Sequence, residues 1–166
     1  MARSVKSAIE VTTEGFDGVE SYLDTVIEQA SKASLTGARK VAQDVAFVAR
    51  EMSPMNTGSL QDAIIEGPAS YSNMVAKATV VIDEHARNDV AGQWVSDYAD
   101  EAHDEITPVG NWELGILSLT KQEMVPSYDG IGVGGGFMTR ALAYCAPDAP
   151  SMIAQEIGKV LEKYNR

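Results

Sequence analysis

A single cysteine, two histidines and 13 Lys plus Arg are all that 166 residues hold of three reactive or cationic classes. Cys145, standing alone, excludes an internal disulfide and a multi-cysteine zinc site, and a chain built without disulfides points to a reducing compartment. The 13 cations face 24 Asp plus Glu, for a formal charge of -11, which argues against a surface that grasps nucleic-acid phosphates. Apolar runs of membrane-spanning length are missing as well. Met1–Ser7 carries positive charge with no apolar segment behind it, so neither a membrane partner nor a secretory leader is expected. These absences describe a cytosolic chain. Its 45% hydrophobic content supports one domain over 1–166, with residues 1–7 as a flexible arm.

What is present is organised around one interruption, Ser53-Pro54-Met55-Asn56-Thr57-Gly58-Ser59-Leu60. Before it, apolar positions from Val19 through Leu23, Ile27, Val41, Val45 and Val48 to Met52 recur three or four residues apart, which predicts a long amphipathic helix over 19–52. Asp17 is placed to cap it, and Gly37 is where it could bend. Pro54 has no amide hydrogen and disfavours a helical Ser53, while Asn56, Thr57 and Gly58 supply turn chemistry, so the helix stops there.

On either side the pattern is that of strands. Ile9, Val11 and Thr13 share one face of an expected strand at 8–14, and Leu60–Glu66 is a second candidate, closed by Gly67-Pro68. Met74–Ile82 alternates cleanly, with Ser70-Tyr71-Ser72-Asn73 as the expected hairpin connection. Residues 106–136 read as a long Gly- and Pro-containing loop or short elements, with Trp112, Leu114, Ile116 and Leu117 as buried anchors. Helical spacing returns at 137–142 and 151–161, where Ser151 is an expected N-cap. The fold class is therefore α+β: a long N-terminal helix and a C-terminal helix packed on a small, mostly antiparallel sheet.

Three patterns invite chemistry. Residues 83–105 hold eight carboxylates against one cation, Arg87, and Asp100, His103 and Asp104 would share one helical face. A small metal-dependent hydrolase is the enzyme reading of that cluster, and a DNA-mimicking decoy is what the charge alone permits. The commoner meaning of an acidic run is a solvated face, and nothing in the spacing matches a recognised cation loop. Gly130–Gly136 contains a G-x-G-x-x-G, yet the preceding Met124–Asp129 is a poor strand broken by Pro126, so a flexible loop is expected there and no nucleotide cofactor. Lys121 lies upstream of these glycines, which excludes a Walker-type phosphate loop. Cys145 sits beside Ala143 and Ala146 and reads as a small buried hydrophobe. No catalytic residue, cofactor or metal is assigned.

The order of elements resembles the HK97 gp10-like family of tailed-bacteriophage neck proteins, also called head-tail connector or tail-completion proteins, over roughly residues 8–162. Pro54, Thr57, Gly58 and Leu60 match that family's Pro-x-x-Thr-Gly-x-Leu loop. Tyr98, Ala99, His103 and Glu105 match its Tyr-Ala segment, with Asp104 where many members have Glu. Val133, Gly134, Phe137, Arg140 and Ala141 match its closing motif, with one extra glycine. The resemblance implies a non-enzymatic ring of six or twelve copies in the virion neck, assembled in the host cytoplasm. A portal-adaptor or head-closure protein would lie on one side and the tail terminator or tail tube on the other, with DNA passing through unbound. A tail terminator is the alternative within structural proteins. The candidate interface residues are Pro54, Thr57, Gly58, Leu60, Trp94, Tyr98, His103, Glu105, Trp112, Phe137 and Arg140, and one of the two tryptophans is expected in the core. Asp97, Asp100, Glu101 and Asp104 are the candidate channel-facing charges.

Overall fold

The computed structural model describes residues 16–55, 57–104, 114–125 and 132–165. The chain is α+β. The strand expected at 8–14 lies outside the described residues.

Helix α1 (Phe16–Met52) runs unbroken for 37 residues, a span of roughly 55 Å at 1.5 Å per residue. It starts one residue before Asp17, which is therefore inside the helix and not its cap. Gly37 does not interrupt it. A Cβ there would lie 2.7 Å from the Cα of Ile153, so the glycine is the point where another helix crosses closely.

The break follows as expected, but Leu60 does not open a strand. Ser59–Ala63 forms a short helix, α2, entered through Gly58 at φ 87, a left-handed conformation that glycine adopts without a Cβ clash. Strand β1 (Ile64–Ser72) pairs antiparallel with β2 (Val75–Ile82). It passes through Gly67-Pro68 by a register irregularity between Glu66 and Ala69, a site where a residue without N–H is tolerated. The hairpin turn is tighter than 70–73: Ser72 pairs with Val75, and Asn73 and Met74 both take positive φ, 51 and 62. That is the signature of a two-residue turn matched to strand twist.

A second two-stranded ribbon follows, β3 (Arg87–Asn88) with β4 (Gln93–Trp94), and then α3 (Ser96–Asp104). Within the stretch expected to be loop or short elements lies α4 (Ile116–Gln122). Helices α5 (Phe137–Cys145) and α6 (Ala149–Leu161) return antiparallel along α1, from Asp44 beside Cys145 to Tyr22 against Tyr164. Asp148 holds the N-cap position of α6, and Ser151 lies inside the helix with its hydroxyl donating to Asp148 O at 2.8 Å.

The core sits at the C-terminal end of α1. Val45, Val48, Ala49 and Met52 cluster with Leu60, Ala63 and Ile64 and with Val95, Ala99, Phe137 and Ala141. No helix among the described residues is long and apolar enough to cross a membrane.

Candidate functional site

The last turn of any α-helix leaves carbonyls without intrahelical partners. At the end of α1 those carbonyls organise the surrounding chain. Arg50 O accepts from Ser53 Oγ at 2.8 Å, from Gln61 Nε2 at 3.1 Å and from Lys121 Nζ. Ser53 O accepts from Lys121 Nζ at 3.3 Å, and Met52 O accepts from the Gly134 amide at 2.9 Å. A cation at a helix C-terminus also meets the negative end of the helix dipole. Burial lowers the Lys121 pKa, and Glu51 opposes that shift. Ser118 completes the clamp: its hydroxyl donates to Met55 O at 3.0 Å and accepts from Met55 N at 2.8 Å.

The second component is Arg140. Its guanidinium donates from Nε to Gly135 O at 3.0 Å, from Nη1 to Gly132 O at 3.1 Å and from Nη2 to Gly134 O at 2.9 Å. Desolvation pushes its pKa down. Arginine stays charged through such shifts, and its planar fork suits several carbonyls at once. Residues 132–135 of the glycine-rich segment, where sequence reading expected a flexible loop, therefore wrap a buried cation. Gly132, Val133 and Gly134 are themselves buried.

The third component is α3. Ala99 and Ala102 enter the core, the His103 ring stands edge-on to Phe137 at 5.2 Å between centroids, and His103 O accepts from the Gly136 amide. Thus the three segments that carry the family resemblance converge on one knot at the base of α1. Three of the eleven candidate interface residues lie in its interior. Leu60 and Phe137 are core residues and Arg140 is an internal clamp, so these three hold the protomer together and do not form its surface. Pro54, Gly58 and Tyr98 are half-buried. Thr57 is exposed, with its hydroxyl 2.9 Å from that of Ser59. Trp94 is half-exposed, with the Arg87 guanidinium 5.6 Å from its ring centroid, a cation–π pair. Glu105 and Trp112 lie outside the described residues.

The acidic segment is spread over a turn, the β3–β4 ribbon and α3. Asp97 and Asp100 are exposed, while Glu101 and Asp104 are described only through the α3 backbone. Among the described residues no three His, Cys, Asp or Glu side chains come together as a metal-holding group. Cys145 is half-buried, and desolvation raises its pKa, helped by Asp44 and Asp148. A thiol so shifted is a poor nucleophile.

Sequence reading allowed short elements here without placing α4, and it misjudged the faces. Ile116 and Leu117, expected as buried anchors, are 80% and 47% exposed, whereas Ser118 is 2% exposed. The available signal was the spacing of Ser118 and Lys121, one helical turn apart and both polar, directed at a helix end that needed donors. Compared with models of protein families, with curated proteins and with solved structures, the chain matches none.

Proposed function

We propose that this chain is a structural neck or tail-completion protein of a tailed bacteriophage, acting as a ring subunit between the head portal-adaptor complex and the tail. One observation carries the reading. The three segments that carry the resemblance are far apart in sequence, yet they meet around the C-terminal turn of α1, where Met52 O binds Gly134 N and His103 O binds Gly136 N. Order along a chain is a weak likeness. The presence of residues from all three motifs in one core cluster gives that order a shared structural purpose, which is to terminate one long helix and pack it against a hairpin and two further helices.

In this reading the motif residues build the protomer, and docking falls to exposed surfaces. Rings of identical subunits close through head-to-tail contacts when the rotation between neighbours closes. Asp97 and Asp100, exposed on α3, are the charges proposed to face the passing DNA, because like charge lets a duplex slide without sticking.

The deciding experiment is quantitative mass spectrometry of purified particles from the source system, counting this chain against the portal protein. The expected result is about six or twelve copies per particle, as closed symmetric rings require. Absence from the particle overturns the proposal. For the channel, Asp97→Lys with Asp100→Lys should permit assembly and slow DNA ejection, and normal ejection removes the acidic-channel part.

A further inference from the structure

Helix α4 is tied to the molecule by hydrogen bonds more than by apolar packing. Ser118 Oγ donates to Met55 O and accepts from Met55 N, and Lys121 Nζ donates to Arg50 O and Ser53 O. The other five residues of α4 are exposed. Among the described residues, the core cluster and the side chains packed against it include none from α4. Its far end rests on Gly132, where a Cβ would stand 3.2 Å from Gln122 Cγ. A helix of seven residues is marginal alone in water, so its helicity and its docking go together.

The end of α1 keeps an inner set of donors that does not pass through α4. Arg50 O also accepts from Ser53 Oγ and Gln61 Nε2, Met52 O from the Gly134 amide, and Ala49 O from the Ser53 amide. Lys121 and Ser118 form an outer set. Its loss hands Ser53 O and both backbone groups of Met55 to water and leaves the inner bonds in place.

We propose that α4 is a detachable strap, which leaves the protomer as one unit, Ser118 and Lys121 releasing together, while the core and the inner cap of α1 stay folded. An element with few buried apolar contacts opens at lower cost than the core. Release gives the molecule a second state, in which the Lys121 ammonium, the Ser118 hydroxyl and the carbonyls of Ser53 and Met55 are open to other partners. A partner that binds only this state draws the population toward it. Release belongs to the single protomer, so it stands or fails apart from the ring assignment.

Native-state hydrogen exchange of the purified full-length protein, followed amide by amide by NMR over low urea concentrations, tests the strap. The Met55 amide is the reporter, because it lies 63 residues from Ser118 along the chain and donates to its hydroxyl. Met55 and residues 119–122 should show one common protection factor, about a hundredfold or more below that of Val48 and Ala49, with almost no urea dependence. Lys121→Met keeps the apolar stem and removes two bonds. It should lower protection at Met55 and at 119–122 together by about tenfold and leave Val48 and Ala49 unchanged. Gln61→Ala removes an inner donor and should do the reverse, lowering protection at Val48 and Ala49 only. Lys121→Gln is the second variant if Lys121→Met misfolds, and the wild-type comparison needs no variant.

Three results overturn the strap. A Met55 amide as protected as Val48 and Ala49 places α4 in the core unit. A Met55 protection factor that differs from that of 119–122 in either direction means that α4 frays or the 53–55 loop opens without joint release. A Lys121 variant that leaves Met55 unchanged, or weakens Val48 and Ala49 equally, removes Lys121 as the fastening.

Discussion

The two halves of α1 carry the same apolar spacing and meet different fates. Toward the C-terminus, Val45, Val48, Ala49 and Met52 are almost wholly buried under the hairpin, α3 and α5. Toward the N-terminus, Val19, Leu23 and Ile27 occupy the equivalent stripe and remain about half exposed. Among the described residues, only α6 and the turn after it accompany this half. They lie along α1 from Ile153 at Gly37 to Tyr164 at Tyr22, and none of the residues of α6 is fully buried. Amphipathic periodicity thus reports that a face is apolar and not whether its own chain covers it.

The strongest way to break this comparison is a matched pair of truncations. Met52→Ala should cost about 2–5 kcal/mol through lost burial and a residual cavity, whereas Leu23→Ala should change the stability of an isolated protomer by less than about 0.5 kcal/mol. Urea unfolding of dilute protein measures both, and similar losses would mean that the N-terminal stripe is packed after all.

The knot that caps the covered half should be nearly as sensitive. Arg140→Lys keeps the charge but loses the planar fork that reaches the carbonyls of Gly132, Gly134 and Gly135, with an expected cost of about 2–3 kcal/mol. Hydrogen exchange should then rise first at residues 132–136. A uniform rise across the chain would mean that the clamp does not act locally.

Gly37→Ala probes the boundary between the halves. Helix propensity favours alanine by about 1 kcal/mol, but the new methyl meets the backbone of Ile153 at 2.7 Å, and overpacking costs about 1–3 kcal/mol. The expected outcome is a net loss of about 1 kcal/mol and a lower melting temperature, with Ser21→Ala, at an exposed α1 site away from this crossing, as the neutral control.

The smallest effect concerns the carboxylate that joins α6 to α1. Glu156 accepts from Lys159 at 2.6 Å and Lys40 at 2.7 Å, which holds its pKa below the ordinary 4.5. A lowered folded-state pKa means that the stabilisation is complete above 4.5 and fades as pH falls through the folded value. Glu156→Gln should therefore be slightly less stable at neutral pH and should flatten the stability loss below pH 4.5. An unchanged acid limb would show that solvent screens the bridge completely.

Much of the fold was legible because local chemistry decides it. The period from Val19 to Met52 specified α1, Pro54 stopped it, and the alternation after Val75 specified β2. Where two local readings competed, packing chose. Leu60 fits a strand by composition, yet Gly58 in a left-handed turn starts a helix that drops Leu60 into the core. Pro68 looks like the end of a strand, and a register irregularity carries the strand through it.

The site was less legible. The sequence marked Phe137 and Arg140 as candidate contact residues without showing that both lie inside the protomer, because burial depends on which elements pack over a position and not on the residue type. It offered Ile116 and Leu117 as anchors, and the carbonyls of Arg50 and Ser53 recruited Lys121 while Met55 recruited Ser118, which left those apolar residues outward. By itself, then, the sequence determined the periods, the breakpoint, the acidic balance and the α+β class, since these follow from backbone preference and composition. Only the tertiary structure decided which apolar faces are covered and which remain open, because a helix end without donors, more than fifty residues away along the chain, set the orientation of α4.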